Sequence, residues 1–273
     1  METVLREKAL PVLGTNGYPL QSSAVYGPIH SRRFGASLGI NPLPVTYKFC
    51  DFDCVYCQYG WTPGPGNKAK GTNEKLKSAR ELLAEIKRSF QKFAAEEVRI
   101  DVITIAGNGE PTLHPEFLNF TKGLLRLRDQ HFPGRPIGIL SDSSQCHRPE
   151  IKEALEALDE RCMKLDAADE ETIRLINKPR GGFELQKTIS ALRNLKGFVI
   201  QSLFVKGSVN NAKPEQIDCW IEAIRLIAPR SVQVYTIDRP PADSGVQPVS
   251  TERLREIAGL CEKRTGIRSE VFD

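Results

Sequence analysis

The chain has 273 residues, 40% of them hydrophobic and 26% charged, with a formal net charge of +4. This composition suits a globular protein with one sizeable core and excludes a disordered or fibrous chain; no apolar run approaches the ~20 residues that span a bilayer. The mild positive balance permits anionic partners without calling for nucleic acid.

Met1 is not followed by an apolar signal region, so the expected location is cytoplasmic, where the seven cysteines stay reduced. Breakers at Pro11, Gly14, Gly17 and Pro19 make the start of the chain irregular. Residues 1–43 are read as an extension packing on a single domain that takes in the whole of 1–273. Within it, Tyr26-Gly27-Pro28-Ile29-His30-Ser31-Arg32-Arg33-Phe34-Gly35 places glycines where backbone can approach a ligand or another strand. Arg32 and Arg33 are either an anion clamp or a solvated surface pair.

An extended stretch at 44–49 leads into three grouped cysteines. Residues 61–71 form a loop rich in Gly, Pro and Lys, made basic by Lys68, Lys70, Lys75, Lys77 and Arg80. That is either a solvated face or a contact for RNA phosphates. Ser78 to Glu81 reads as a capping box opening a helix with Leu82, Leu83, Ile86 and Phe90 on one face. Strands and helices then alternate. Strands are expected at 98–106, 136–140, 163–167, 198–205 and 231–237. Helices are expected at 114–130, 149–158, 170–177, 183–195, 214–228 and 251–264, with a short extended tail. Counting 44–49 as the first strand gives six βα units, short of a closed barrel.

Cys50, Cys54 and Cys57 stand at C-x3-C-x2-C spacing. Grouped thiolates suit soft metals and iron–sulfur clusters. A structural zinc site needs a fourth Cys or His, and neither His30 nor His114 is well placed. An electron-carrying cluster ordinarily takes four cysteines, and no fourth cysteine lies nearby. Three thiolates on a four-iron cluster leave one iron open to a non-protein ligand. Cys146, Cys162, Cys219 and Cys261 are scattered; Cys162 and Cys219 lie in apolar-patterned segments and are expected to be buried.

The cysteine spacing, with Tyr56 before the last Cys, resembles the radical S-adenosylmethionine (SAM) superfamily. Further segments resemble one branch of it, related to the tRNA wyosine-base (4-demethylwyosine synthase-like) iron–sulfur oxidoreductases. These are the Y-G-P-x-x-S-R-R-x-G-x-S-L-G run from Tyr26, the G-x-G-E-P-T-L-H-P run from Gly107, and Asp238-Arg239-Pro240-Pro241. The resemblance implies an α/β fold, an open (β/α)6 partial TIM barrel. It implies a [4Fe-4S] cluster on Cys50, Cys54 and Cys57 whose open iron chelates SAM. An external one-electron reductant, flavodoxin or ferredoxin, would supply the electron that cleaves SAM to a 5′-deoxyadenosyl radical. The substrate is left open: a tRNA base, or another anionic substrate. The wyosine enzymes carry a second cysteine set upstream, whereas residues 1–49 here hold no Cys. The competing class is a non-catalytic iron–sulfur electron carrier or a structural metal protein.

Barrel enzymes build their sites at the C-terminal ends of the strands. There, Gly107, Gly109, Glu110 and Pro111 form either a plain tight turn or the element that the resemblance assigns to the SAM amino group. Ser141 and Asp142 stand where relatives have Thr-Asn, and Tyr56, Lys164 and Asp166 complete the expected SAM side. Lys164 and Asp166 are alternatively a structural ion pair. Gln201, Tyr235, Asp238 and Arg239, with Arg32 and Arg33, are the expected substrate side.

Overall fold

Apolar, β-branched runs such as Val102–Ile105, buried at every position, alternate with amphipathic helices, and the two pack as layers. The computed structural model describes residues 11–31, 33–63 and 74–272. An antiparallel hairpin comes first, β1 (Val25–Ser31) and β2 (Gly35–Ile40). Then follow α1 (Ala79–Ala95), β3 (Val102–Ile105), α2 (Phe117–His131), β4 (Ile137–Ser141), α3 (Pro149–Glu156) and β5 (Glu160–Lys164). Two helices, α4 (Glu170–Ile176) and α5 (Leu185–Arg193), precede β6 (Val199–Leu203) and β7 (Val205–Gly207). The chain ends with α6 (Pro214–Ile227), β8 (Ser231–Tyr235), β9 (Val246–Pro248), α7 (Thr251–Thr265) and β10 (Ser269–Phe272).

The main sheet runs β1-β2-β3-β4-β5-β6-β8-β10, parallel from β2 onward. β7 and β9 form a small separate ribbon. Strands β2, β3, β4, β5, β6 and β8, each followed by helix, give the six βα units of an open partial barrel. β1 and β10 are its edges and do not pair among the described residues. Helix α1 begins at the capping box read from sequence: the Ser78 side chain accepts from Glu81 N while Glu81 reaches back to the cap. Its buried stripe of Leu82, Ile86 and Phe90 joins one core with Phe120 and Leu124 of α2 and Trp220 and Ile224 of α6. Each such side chain contributes roughly 1.5–3 kcal/mol of burial.

Two expectations need correction, and a third is made more specific. The first parallel strand is Gly35–Ile40, not 44–49, so residues 25–40 belong to the sheet rather than to an extension. Pro42 and Pro44 lack the N–H that a ladder needs, and Glu74 takes the amides of Val45 and Thr46, at 3.0 and 2.9 Å. Only Phe49 bridges to the barrel, at Gly109. The extended tail is β10, a further parallel strand beside β8. Cys219 is exposed on the outer face of α6, because its neighbours Ile217, Trp220 and Ile221 fill the inner one.

Candidate active site

Tight turns bring the cysteine loop over the ends of the strands. Phe49 N donates to Asn108 O at 2.7 Å and Glu110 N to Phe49 O at 3.0 Å, so the segment entering Cys50 lies edge-on to the turn after β3. Gly109 makes this approach possible. Its φ is +145°, and a Cβ there would stand 1.8 Å from Phe49 O. Gly107 likewise leaves room for Asn41, whose Oδ1 would lie 2.1 Å from an added Cβ.

Cys50, Cys54 and Cys57 line one cavity of about 530 Å3, and none of them is in a disulfide. Burial, and then Asp142, raise the Cys50 thiol well above its usual range, partly offset by Lys48. Burial pushes Cys54 up to about 12, against the pull of Lys164 and Lys48. Three thiols on one loop facing one cavity fit a thiolate-ligated iron–sulfur cluster, whose metal displaces their protons. Cys50 Sγ donates to Asp142 Oδ2 at 3.7 Å, and Asn177 Nδ2 donates to Cys54 Sγ at 3.4 Å.

The expected SAM side gathers around this space. Gly107, Gly109, Glu110, Ser141, Asp142, Lys164 and Tyr56 all line the cavity. Glu110, however, directs its carboxylate into the fold. One oxygen accepts from Thr112 N at 3.0 Å and Ser141 Oγ at 3.0 Å, the other from Asp142 N at 2.6 Å. Burial raises its pKa to about 6; the bonds from Thr112 and Asp142 temper that rise. Pro111 lies behind the cavity and opens a short 3-10 turn, Pro111–Leu113. Asp166 is 1% exposed and also lies behind the wall. It accepts from Leu203 N at 2.8 Å, from Asn177 Nδ2 at 2.7 Å, and from the Tyr56 hydroxyl. Lys164 Nζ sits 3.4 Å from Asp166 and donates to the Tyr235 hydroxyl at 3.0 Å. Burial opposes its charge, but Asp166, Tyr235 and Cys54 outweigh that and raise its pKa. The Lys164–Asp166 pairing left open by the sequence is therefore an ion pair, with Lys164 facing the cavity and Asp166 holding it.

On the substrate side, Arg33, Gln201, Tyr235, Asp238 and Arg239 line the same cavity. Arg33 does not meet Arg239. Its Nη1 donates to Gln201 Oε1 at 3.2 Å and Gln233 Oε1 at 3.0 Å, midway along β6 and β8, and its guanidinium lies 5.2 Å from the Tyr235 ring. Arg239 sits beyond the end of β8, donating to Gln58 and lying 5.7 Å from the Tyr18 ring. Arg32 falls outside the described residues, as do Lys68 and Lys70; Lys77 is paired with Glu85 at 2.6 Å. The sequence reading missed Lys48, Asn177 and Gln233. Lys48 stands two residues before Cys50, a spacing that puts alternate side chains on one side. Burial works against its charge, but Cys57, Cys50, Cys54 and Asp53 keep its pKa raised. Asn177 is the C-cap of α4 and carried no local signal.

The pattern of the Radical SAM superfamily matches residues 45–227. A UPF0026 protein of Methanocaldococcus jannaschii is 31% identical over 88% of this chain and 72% of its own length. A UPF0026 protein of Helicobacter pylori is 30% identical over 87% and 74%. A radical SAM methyltransferase from Sphaerobacter thermophilus superposes with a TM-score of 0.63 at 15% identity, over 86% of this chain and 65% of that one. TYW1 with a lysine–pyruvate adduct bound superposes with 0.56 at 15% identity, over 85% and 76%. At that identity the two structures speak for the fold, whereas the matched pattern and the UPF0026 relatives speak for descent. The chain belongs to the radical SAM superfamily and is related within it to the UPF0026 proteins.

Proposed function

We propose that the protein is a radical SAM enzyme with one [4Fe-4S] cluster on Cys50, Cys54 and Cys57, acting as an oxidoreductase or transferase on a small anionic substrate. When bound, the cluster and SAM together supply one-electron cleavage of SAM and a radical able to take hydrogen from carbon. The observation that carries the reading is the cavity itself. Three thiols form one side of it, and the Gly107–Glu110 turn, Ser141 and Asp142 form another. An electron carrier or structural metal site has no use for a half-open cavity of about 530 Å3 against its cysteines.

The chain's own residues divide the work. Backbone groups freed by Gly107 and Gly109 can approach an amine closely, and Lys164, kept charged by Asp166, can hold a carboxylate. Tyr56, tied to Asp166, forms part of the wall beside Cys57. The β6–β8 half is left for substrate. Its amides and the Arg33 guanidinium, which donates to Gln201 and Gln233, suit a carboxylate or phosphate. A tRNA base would reach that half only when flipped out of its stack. The electron comes from a partner such as flavodoxin or ferredoxin. No helix among the described residues is long and apolar enough to cross a membrane.

The test is anaerobic reconstitution followed by dithionite reduction in the presence of SAM. Slow release of 5′-deoxyadenosine and methionine is expected, rising with extract fractions that contain the substrate. No release, with SAM leaving the EPR spectrum of the reduced protein unchanged, sinks the reading.

A further inference from the structure

Lys48 carries a buried ammonium directly beneath the loop that bears the cysteines. Its side chain is 3% exposed, and its Nζ donates to Gly60 O at 3.0 Å. Gly60 N in turn donates to Cys57 O at 3.0 Å, so the contact closes the loop from Phe49 to Gly60 around the charge. Lys48 also lines the cavity shared by the three cysteines. Its acidic neighbour is Asp53, at 3.8 Å, and Asp53 is not Lys48's alone. Arg180 Nε lies 3.6 Å from it, and Thr62 N donates to its Oδ1 at 2.5 Å. A buried cation whose only carboxylate among the described residues is shared and distant is costly unless another negative charge faces it. Nothing in the folding of the loop demands that charge, since a polar neutral side chain could satisfy Gly60 O.

We propose that Lys48 is a positioning residue whose fixed positive charge sets the reduction potential of the iron–sulfur cluster held by Cys50, Cys54 and Cys57. The proposal rests on the reading of these cysteines as cluster ligands. Three thiolates make the bound cluster anionic, and each electron accepted adds negative charge beside a side chain that is itself buried. A cation fixed beside it stabilises the reduced form more than the oxidised one, because Coulomb attraction grows with the charge and is weakly screened in a buried site. Lys48 thereby eases the electron transfer that starts the chemistry. Asp53 works the other way and tempers it.

The experiment is an EPR-monitored redox titration of the reconstituted protein without SAM, with iron counted in each sample. Lys48→Met keeps the length of the side chain and removes its charge. It is expected to hold wild-type iron and to titrate at a more negative potential. Lys48→Arg is expected to stay near wild type, as is Lys92→Met, a surface control. Asp53→Asn keeps the acceptor for Thr62 N and is expected to move the potential to more positive values. It decides the matter if Lys48→Met fails to take up iron. An unchanged potential in Lys48→Met, or in Asp53→Asn where it stands in, overturns the role given to Lys48. A wild-type protein that binds no iron overturns instead the reading on which the role rests.

Discussion

Asn177 Nδ2 lies 3.4 Å from Cys54 Sγ, and the same nitrogen donates to the Tyr56 hydroxyl at 3.0 Å and to Asp166 Oδ2 at 2.7 Å. One amide at the end of α4 thus ties the cysteine loop to the segment after β5. Backbone bonds run alongside it: Val55 N donates to Ile176 O at 2.8 Å and Asp53 N to Asn177 O at 3.0 Å. Asn177→Ala leaves the buried Asp166 carboxylate short of a donor. The variant is expected to lose about 1–3 kcal/mol of stability, measured by denaturant unfolding of the iron-free protein. A change too small to resolve contradicts the role of Asn177 as a tie.

Cys54 is expected to be indispensable for the cluster and dispensable for the fold. Cys54→Ala removes a small buried side chain, so far-ultraviolet circular dichroism should persist while iron and the visible absorbance of the reconstituted protein are lost. Cys219→Ser, on the exposed face of α6, should keep both. Stoichiometric zinc in the wild-type protein, or iron well beyond one four-iron cluster per chain, contradicts the assignment.

Gly109→Ala combines two costs. Its φ of +145° disfavours any side chain, and the added Cβ would press on Phe49 O at 1.8 Å. Backbone strain alone is worth about 1–3 kcal/mol. Because Phe49 and Cys50 must shift to make room, cluster uptake should fall together with thermal stability. Retention of both would mean that the turn and the cysteine loop do not meet as described.

Arg33 and Arg239 are expected to behave differently, since they lie at different levels of the cavity. Arg33→Ala should keep the cluster and uncoupled SAM cleavage but weaken substrate-dependent 5′-deoxyadenosine formation by about 1.5–3 kcal/mol in kcat/KM, the worth of a charged hydrogen bond. Arg239→Ala, which frees Gln58 and Tyr18 at the mouth, should have a smaller effect, mainly on KM. Loss of iron or of fold in Arg33→Ala would make its glutamine contacts structural.

Glu110 gives a pH dependence with a definite sign. Its folded pKa is about 6 against an ordinary 4.5, raised first by burial. The native state therefore holds its proton over a range where the unfolded chain has lost it, and stability falls as pH rises between these values. Asp142, raised well above its usual range by burial and by Glu110, adds in the same direction. Urea midpoints of the iron-free protein across that window should decline for wild type and decline less steeply for Glu110→Gln, where Asp142 still contributes. A wild-type midpoint that climbs with pH and is unaffected by the substitution contradicts the assignment.

The sequence by itself determined what is local. The cysteine spacing is a property of eight consecutive residues, and the Ser78–Glu81 cap and the alternation of β-branched runs with amphipathic stripes repeat at short range, so five of the six βα units were legible in place. So was the set of strand ends that line the cavity, because a barrel sends those ends to one side. Tertiary structure decided the rest, wherever partners distant in sequence compete for one group. Whether 35–40 or 44–49 became the first parallel strand turned on Glu74 capturing the amides of Val45 and Thr46. The resemblance put Asp166 on the SAM side, yet Leu203, Asn177 and Tyr56 occupy its oxygens. Arg33 became a group of the barrel bore only because Gln201 and Gln233 lie side by side in register on β6 and β8, 168 and 200 residues further on. Hydrogen bonds and ion pairs act over a few ångströms, and only the fold brings such residues within that range.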